Sequence, residues 1–363
     1  MSVDQTPRTS ATAAERAVIP ATTSVRTLGR EGRPRWRRAV GWLGSHDGDP
    51  ARVLILVLMI TVIGIIAPTF LSKASWLATS QAATVITLLA IGQTFVIIAG
   101  GIDLSVGAVL ACSAMVGAVT MRQLVGAGVD PTLTIAIGFA ASLATGTLMG
   151  LINGLVITKL KITPFIVTLG MLGVGTGTTN ILSGGTEVVG LPAQLGAIGN
   201  AGLLGGWLTV PVLVTIVVAV VAALALSRTR FGMRTYAIGS NNGASRRAGI
   251  AVDAHLVRVY MLSGALASIA GVLLVSRFVG ASPLAGQGAE LSAIAAAVIG
   301  GASLTGGRGS IVGTLVGAAI TAVLQIGLIL AGVQSFWQTV AIGIVIVLAV
   351  YGDQLRIRLS GDR

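Results

Sequence analysis

The sequence predicts an all-α polytopic membrane protein of about ten transmembrane helices, with both N and C termini cytoplasmic. Three observations carry this expectation. Of 363 residues, 54% are hydrophobic and 10% charged, with a mean hydropathy of +0.91, which is more apolar surface than one soluble core uses. Glycine occurs 50 times, well above the roughly 7% usual for soluble chains, and it lets transmembrane helices bring their backbones together. The basic residues, which give a formal charge of +12, sit mostly at the ends of apolar runs, as topology rather than nucleic-acid binding requires.

Residues 1–52 read as a separate basic tail, rich in Ala, Thr and Arg and too poor in apolar residues to fold alone. Arg37 and Arg38 precede only a short apolar run that ends in the polar Ser45–Pro50 stretch, so a twin-arginine export signal is excluded. The tail is expected to be disordered in the cytoplasm and to rest on anionic headgroups, with Trp36 and Trp42 at the interface.

Residues 53–351 form the membrane domain, because ten runs approach the roughly 20 apolar residues that cross a bilayer. They are 53–70, 77–99, 104–121, 133–157, 164–182, 208–226, 256–279, 291–304, 311–331 and 336–350, of which the eighth is short. Residues 352–363 follow as a cytoplasmic tail. With the N-terminus inside, all but Lys73, Arg122 and Arg277 of the 24 Lys and Arg residues fall on the cytoplasmic side. One missed span would invert every later loop and destroy that asymmetry. The outer connection from Ser183 to Trp207 lacks Lys and Arg, and its Gly and Pro content predicts an irregular cap with short helical pieces. The single cysteine, Cys112, excludes an intrachain disulfide and reads as packing.

Two glycine-rich blocks interrupt the spans. Gly100–Gly107 reads GGIDLSVG, and its Asp103 would cost roughly 2.5–3.5 kcal/mol at membrane depth unless partnered or near the interface. It reads either as a cap on the next helix or as a group on a solute path. Gly300–Gly307, GGASLTGG, matches it in four positions. Both blocks fall on the cytoplasmic side, so they are not the matching ends of an inverted repeat.

The most basic loop, 227–258, carries six arginines between two apolar runs. Its middle predicts a short helix, capped by Ser240 or Asn241 and stopped by Gly249 in the left-handed conformation. Ala244 and Ala248 then share a small-residue face able to enter a groove of another protein, with Arg246 and Arg247 at its rim. A merely solvated basic loop is the alternative.

Four blocks taken together resemble the membrane permeases of bacterial ABC importers of the ribose and related monosaccharide type. They are GGIDLSVG, GLINGLVITKLKITPFIVTLGM (150–171), AIGSNNGASRRAGI (237–250) and GQGAELSAIAAAVIGGASLTGGRGSIVGT (286–314). The resemblance implies a permease in the bacterial cytoplasmic membrane, paired with a second copy or a related chain. It also implies a cytoplasmic ATPase that holds ATP and Mg, an extracytoplasmic solute-binding protein, and no cofactor in this chain. It places ATPase coupling on Gly239, Asn241, Ala244, Ser245, Arg246, Arg247, Gly249 and Ile250. The family's usual pair of adjacent alanines, often preceded by acids, is here Asn242, Gly243, Ala244 and Ser245. Candidate path or gate residues are Asp103, Ser105, Asn153, Thr168, Asn180, Gln287 and Glu290, each of which also has a plain hydrogen-bonding reading. A monosaccharide substrate and a lipid surround follow; nucleic acid does not.

An ion-coupled secondary transporter is expected to place ionisable groups mid-span, and none stands there. An importer of nucleosides or branched-chain amino acids from the same superfamily stays open. An intramembrane enzyme needs a catalytic or metal-binding constellation, and two distant histidines with one cysteine offer none.

Overall fold

The computed structural model describes residues 49–360, so the first 48 residues of the expected tail and the last three of the chain lie outside the described residues. The described chain is mostly helical and opens with α1 (Asp49–Ile66), a single 3-10 turn (Pro68–Leu71), α2 (Lys73–Ile98), α3 (Val106–Gly126), α4 (Pro131–Lys159) and α5 (Pro164–Ser183). The outer connection contains α6 (Gln194–Asn200) and a minimal antiparallel pair, β1 (Gly202–Leu203) with β2 (Leu208–Thr209). There follow α7 (Val210–Arg228), α8 (Arg230–Ser240), α9 (Asn242–Arg247), α10 (Val252–Phe278), α11 (Ala289–Ile299), α12 (Ile311–Leu330) and α13 (Ser335–Ser360).

Seven of these, α2, α3, α4, α5, α7, α10 and α12, are long and apolar enough to cross a membrane. The protein is therefore a multi-pass membrane protein. Shorter apolar helices occupy the first, eighth and tenth expected spans. Two boundaries differ from the sequence reading. α1 starts four residues inside the expected tail, and α13 continues to Ser360 through most of the expected C-terminal one.

Helix ends follow local chemistry. The Asp130 carboxylate accepts the amides of Thr132 and Leu133 at 2.9 and 3.1 Å, with Pro131 supplying a first helical residue whose missing N–H costs nothing. Ser310 Oγ caps α12 by accepting from the Gly313 amide at 3.0 Å. α5 ends where Gly184 adopts φ 63°.

α2 and α10 form the centre. From Leu88 to Ile98, α2 is buried on every side, and its Gly92 leaves room for Ser263 of α10. The most extensive helix–helix contact is that of α4 with α10. Gly146, Gly150 and Gly154 lie four apart on one face of α4, and at each an added Cβ would strike the α10 main chain. At Gly154 it would lie 2.7 Å from Val257 Cα, and at Gly150 it would lie 3.0 Å from Met261 Cα. The stripe is the small-xxx-small pattern that lets membrane helices approach at backbone distance. By contrast α5 and α7 expose apolar side chains such as Ile166, Ile181, Val217 and Val221, as lipid-facing helices do.

The outer connection is tied down rather than loose. Val188 and Ala281 exchange main-chain hydrogen bonds of 2.8 and 3.0 Å, Leu195 is fully buried, and Gly199 of α6 sits against the Ser276–Arg277 backbone.

Candidate functional site

The expected short helix is α9. Asn241 Oδ1 accepts from the Ala244 amide at 2.8 Å. Gly249, at φ 80°, donates to Arg246 O and Ile250 donates to Ser245 O, both at 3.0 Å, which is the paired bonding of a glycine-stopped helix end. Ala244 and Ala248 are exposed together, and Ser245 faces inward at 5% exposure. The rim arginines differ. Arg246 donates through Nη1 to Asp253 Oδ2 at 3.2 Å and makes a second bond to Oδ1, while Arg247 is exposed.

The preceding segment, part of the basic loop by sequence, also folds as a helix. Thr229 Oγ1 accepts the Phe231 and Gly232 amides and starts α8. α8 is fastened to the bundle along one face. The Phe231 ring lies between those of Phe95 and His255, at centroid distances of 5.8 and 4.6 Å. Thr235 Oγ1 and His255 Nε2 are 2.9 Å apart, and the Tyr236 hydroxyl donates to Gly309 O at 2.7 Å.

Gly239 ends this face in a junction with no spare volume. A Cβ there would overlap Ile98 O and lie 2.7 Å from the Gly307 nitrogen. One at Gly306 would lie 2.9 Å from Gly239 O and 3.2 Å from Gly100 Cα. Gly307 N–H donates to Ile98 O at 2.8 Å. The two glycine blocks therefore meet in space, with the end of α8 between them.

The path candidates separate into two groups. Asp103, Ser105, Asn153 and Thr168 are all buried, at 2% exposure or less. Asp103 Oδ1 accepts from Ser105 N at 2.9 Å and Ser105 Oγ at 2.6 Å, and its Oδ2 accepts from Ser263 Oγ at 2.9 Å. Asn153 Nδ2 donates to Ser105 Oγ at 2.9 Å, whereas Thr168 Oγ1 donates to Pro164 O of its own helix at 2.9 Å and lies 3.3 Å from Ile102 O. In the orientation that satisfies both ends of its amide, Gln93 pairs with the Asp103 main chain at 3.1 and 3.2 Å. The network pins the 100–105 turn to α2, α4 and α10.

Asp103→Ala would leave the Ser105 amide and two hydroxyls without their acceptor, at about 1–3 kcal/mol for each buried donor that finds no other. Asp103→Asn keeps an acceptor. The alanine variant is therefore expected to melt several degrees below the asparagine one. Equal melting would show that the network holds nothing, and an asparagine variant that folds but cannot transport would return Asp103 to the path.

Asn180, Gln287 and Glu290 instead line one cavity of about 320 Å³, with Thr176 and the Gly107–Ala111 face of α3. Its size is at the lower end of small-molecule sites. Asn180 Nδ2 is bonded back to Thr176 O at 2.9 Å. The Glu290 carboxylate stands over Gly107, where a Cβ would lie 2.5 Å from Oε2. Gly286 and Gly288, at φ 82° and 75°, turn the chain so that Gln287 reaches the cavity. No group of acidic, His and Cys side chains suited to a metal occurs among the described residues.

The described chain is a bundle of apolar helices carrying a small-faced helix on a fixed mount and a cavity with Asn180, Gln287 and Glu290 in its lining. Residues 76–350 match the family described as "Branched-chain amino acid transport system / permease component", and the chain belongs to that family. Among curated relatives, it is 43% identical over 301 residues to the ribose import permease protein RbsC of Bacillus subtilis, covering 82% of this chain and 90% of the relative. It is 36% identical over 302 residues to the D-allose transport system permease protein AlsC of Escherichia coli, covering 83% and 90%. It is 35% identical over 321 residues to the fructose import permease protein FrcC of Rhizobium meliloti, covering 84% and 86%. No solved structure matches it. All four blocks that carried the resemblance lie within the matched residues, and the chain is a transport component rather than an enzyme.

Proposed function

We propose that this chain is the permease subunit of an ATP-driven importer in the bacterial cytoplasmic membrane, carrying a monosaccharide delivered by an extracytoplasmic binding protein. The observation that carries this reading is the mounting of α9. A transported solute has no use for an exposed Ala244–Ala248 face, whereas a motor protein's groove does. In this reading two permease copies pair, ten helices cross, both termini are cytoplasmic, and ATP and Mg are held by the ATPase.

Motion entering at α9 passes to α8, then through the Gly239 junction to the 300–309 segment. That segment continues α11, an 11-residue helix about 16 Å long whose far end carries Glu290 and the Gly286–Gly288 turn. A push on the lever therefore shifts one wall of the amide-lined cavity. Asn180, Gln287 and Glu290 offer hydrogen bonds to a hydroxyl-rich solute, and the names of the ribose, allose and fructose permeases support that substrate class over a branched apolar one.

The test is reconstitution of the permease with its ATPase and binding protein in vesicles. Sugar uptake should require ATP, and uptake that follows a proton gradient without ATP would overturn the proposal. Ala244→Trp is expected to abolish ATPase co-purification while leaving insertion intact. Orientation is read with an impermeant thiol reagent on Ala248→Cys in a Cys112→Ser background, because Ser245 is buried. Labelling from outside intact cells would put the lever in the wrong compartment.

A further inference from the structure

A second polar cavity, of about 440 Å³, lies across the Gly286–Gly288 turn from the first, between α2, α10, α11, α12 and α13. Its polar lining comes from Gln81, Arg277, Gln287, Ser292, Gln325, Gln338 and Thr339. Among the described residues no carboxylate pairs with Arg277, whose guanidinium rests over the Phe278 ring at 5.1 Å. Gln325 Nε2 donates to Ser292 Oγ at 3.1 Å and keeps its amide oxygen free for a ligand. The side-chain amides of Gln81, Gln287 and Gln338 form no hydrogen bond within the described chain. One uncompensated, half-buried cation beside several amides calls for an anion that also carries hydroxyl groups.

The rim says where that anion comes from. Phe278, which lines the cavity, is exposed, as are Phe336 and Trp337, the two residues before Gln338, in the way aromatic side chains are at the headgroup level of a bilayer. Val340 and Ile344 continue the exposed α13 surface away from it, offering apolar contact for acyl chains. We propose that this cavity is a phospholipid site, in which Arg277 holds the phosphate and the glutamine amides hold the hydroxyls of a glycerol head group. The site shares the Gly286–Gly288 turn and Gln287 with the solute cavity, takes its charge from Arg277 on the other side of that turn, and does not depend on which solute is carried.

Native mass spectrometry of the full-length permease tests this, with phosphatidylglycerol, phosphatidylcholine and soluble glycerol phosphate as probes. The wild-type chain is expected to hold phosphatidylglycerol roughly ten-fold or more above phosphatidylcholine, as a charge-assisted pair with added hydroxyl bonds implies. Arg277→Gln should cut phosphatidylglycerol binding several-fold and reduce that preference to what the glutamine–hydroxyl contacts supply, and Arg277→Lys, which keeps the charge and serves as the folding control, should retain most of it. Displacement of the lipid by soluble glycerol phosphate would assign the same chemistry to a free phosphate ester. An unchanged preference in Arg277→Gln would overturn the proposal, as would displacement of the lipid by ribose, which would give the cavity to the solute path.

Discussion

Gly150→Val is expected to prevent recovery of folded permease. The added side chain would meet the Tyr260 carbonyl group and come within 3.0 Å of Met261 Cα, all main-chain atoms of α10 that no rotamer change can move aside. Relief requires the two helices to separate along their whole contact, which also carries Gly146 and Gly154 and supports the Asn153–Ser105–Asp103 network. Overpacking a core costs about 1–3 kcal/mol where side chains can adjust, and a backbone obstacle puts this substitution at or above that upper figure. At roughly 2–4 °C per kcal/mol, melting in detergent should fall by on the order of 10 °C, with loss of the monodisperse peak. The control is Gly126→Val, another helical glycine, whose Cβ would meet nothing within 4 Å. If both variants melt alike, close approach of α4 and α10 is not what holds the bundle.

How much of this was legible in the sequence depended on the range of the interaction. Spans follow from composition along one helix, and α9 follows from Asn241 and Gly249, whose capping bonds reach only three residues. The abundance of glycine pointed to close packing. That 146, 150 and 154 face α10 required knowing a partner some hundred residues away. The same distance hides the role of Asp103: its bond to Ser105 is local, but its second carboxylate oxygen is satisfied by Ser263. α8 is hard to read from the sequence for a different reason. Its flanking arginines suggested solvent, although Thr229 is a good cap and the residues buried on its face, Gly232, Thr235 and Ile238, recur at helical spacing. The glycine blocks shared a pattern that symmetry could not explain. Their meeting around Gly239 gives it a physical reason, since three chain segments crossing at backbone distance leave no room for side chains.

That junction yields the second large effect. Gly239→Val should leave α1 to α7 and α10 packed, because Gly239 lies at the last turn of α8, outside the α4–α10 seam. Its side chain would overlap Ile98 O, which already accepts from Gly307 N–H, so α8 must tilt away from the 300–309 segment. The exposed face of α9 survives that tilt, since its Asn241 cap and Gly249 stop are internal to the loop. Under the proposed mechanism the variant should therefore still co-purify with the ATPase and still hydrolyse ATP, while binding-protein-dependent sugar uptake falls by roughly ten-fold or more, the equivalent of losing about 1.4 kcal/mol of coupling. Gly239→Ala, adding only the Cβ, should lose less. Measured side by side in vesicles, hydrolysis and uptake falling together would mean that the substitution breaks docking, and uptake equal to wild type would mean that force reaches the cavity by some route other than Gly239, Gly307 and α11.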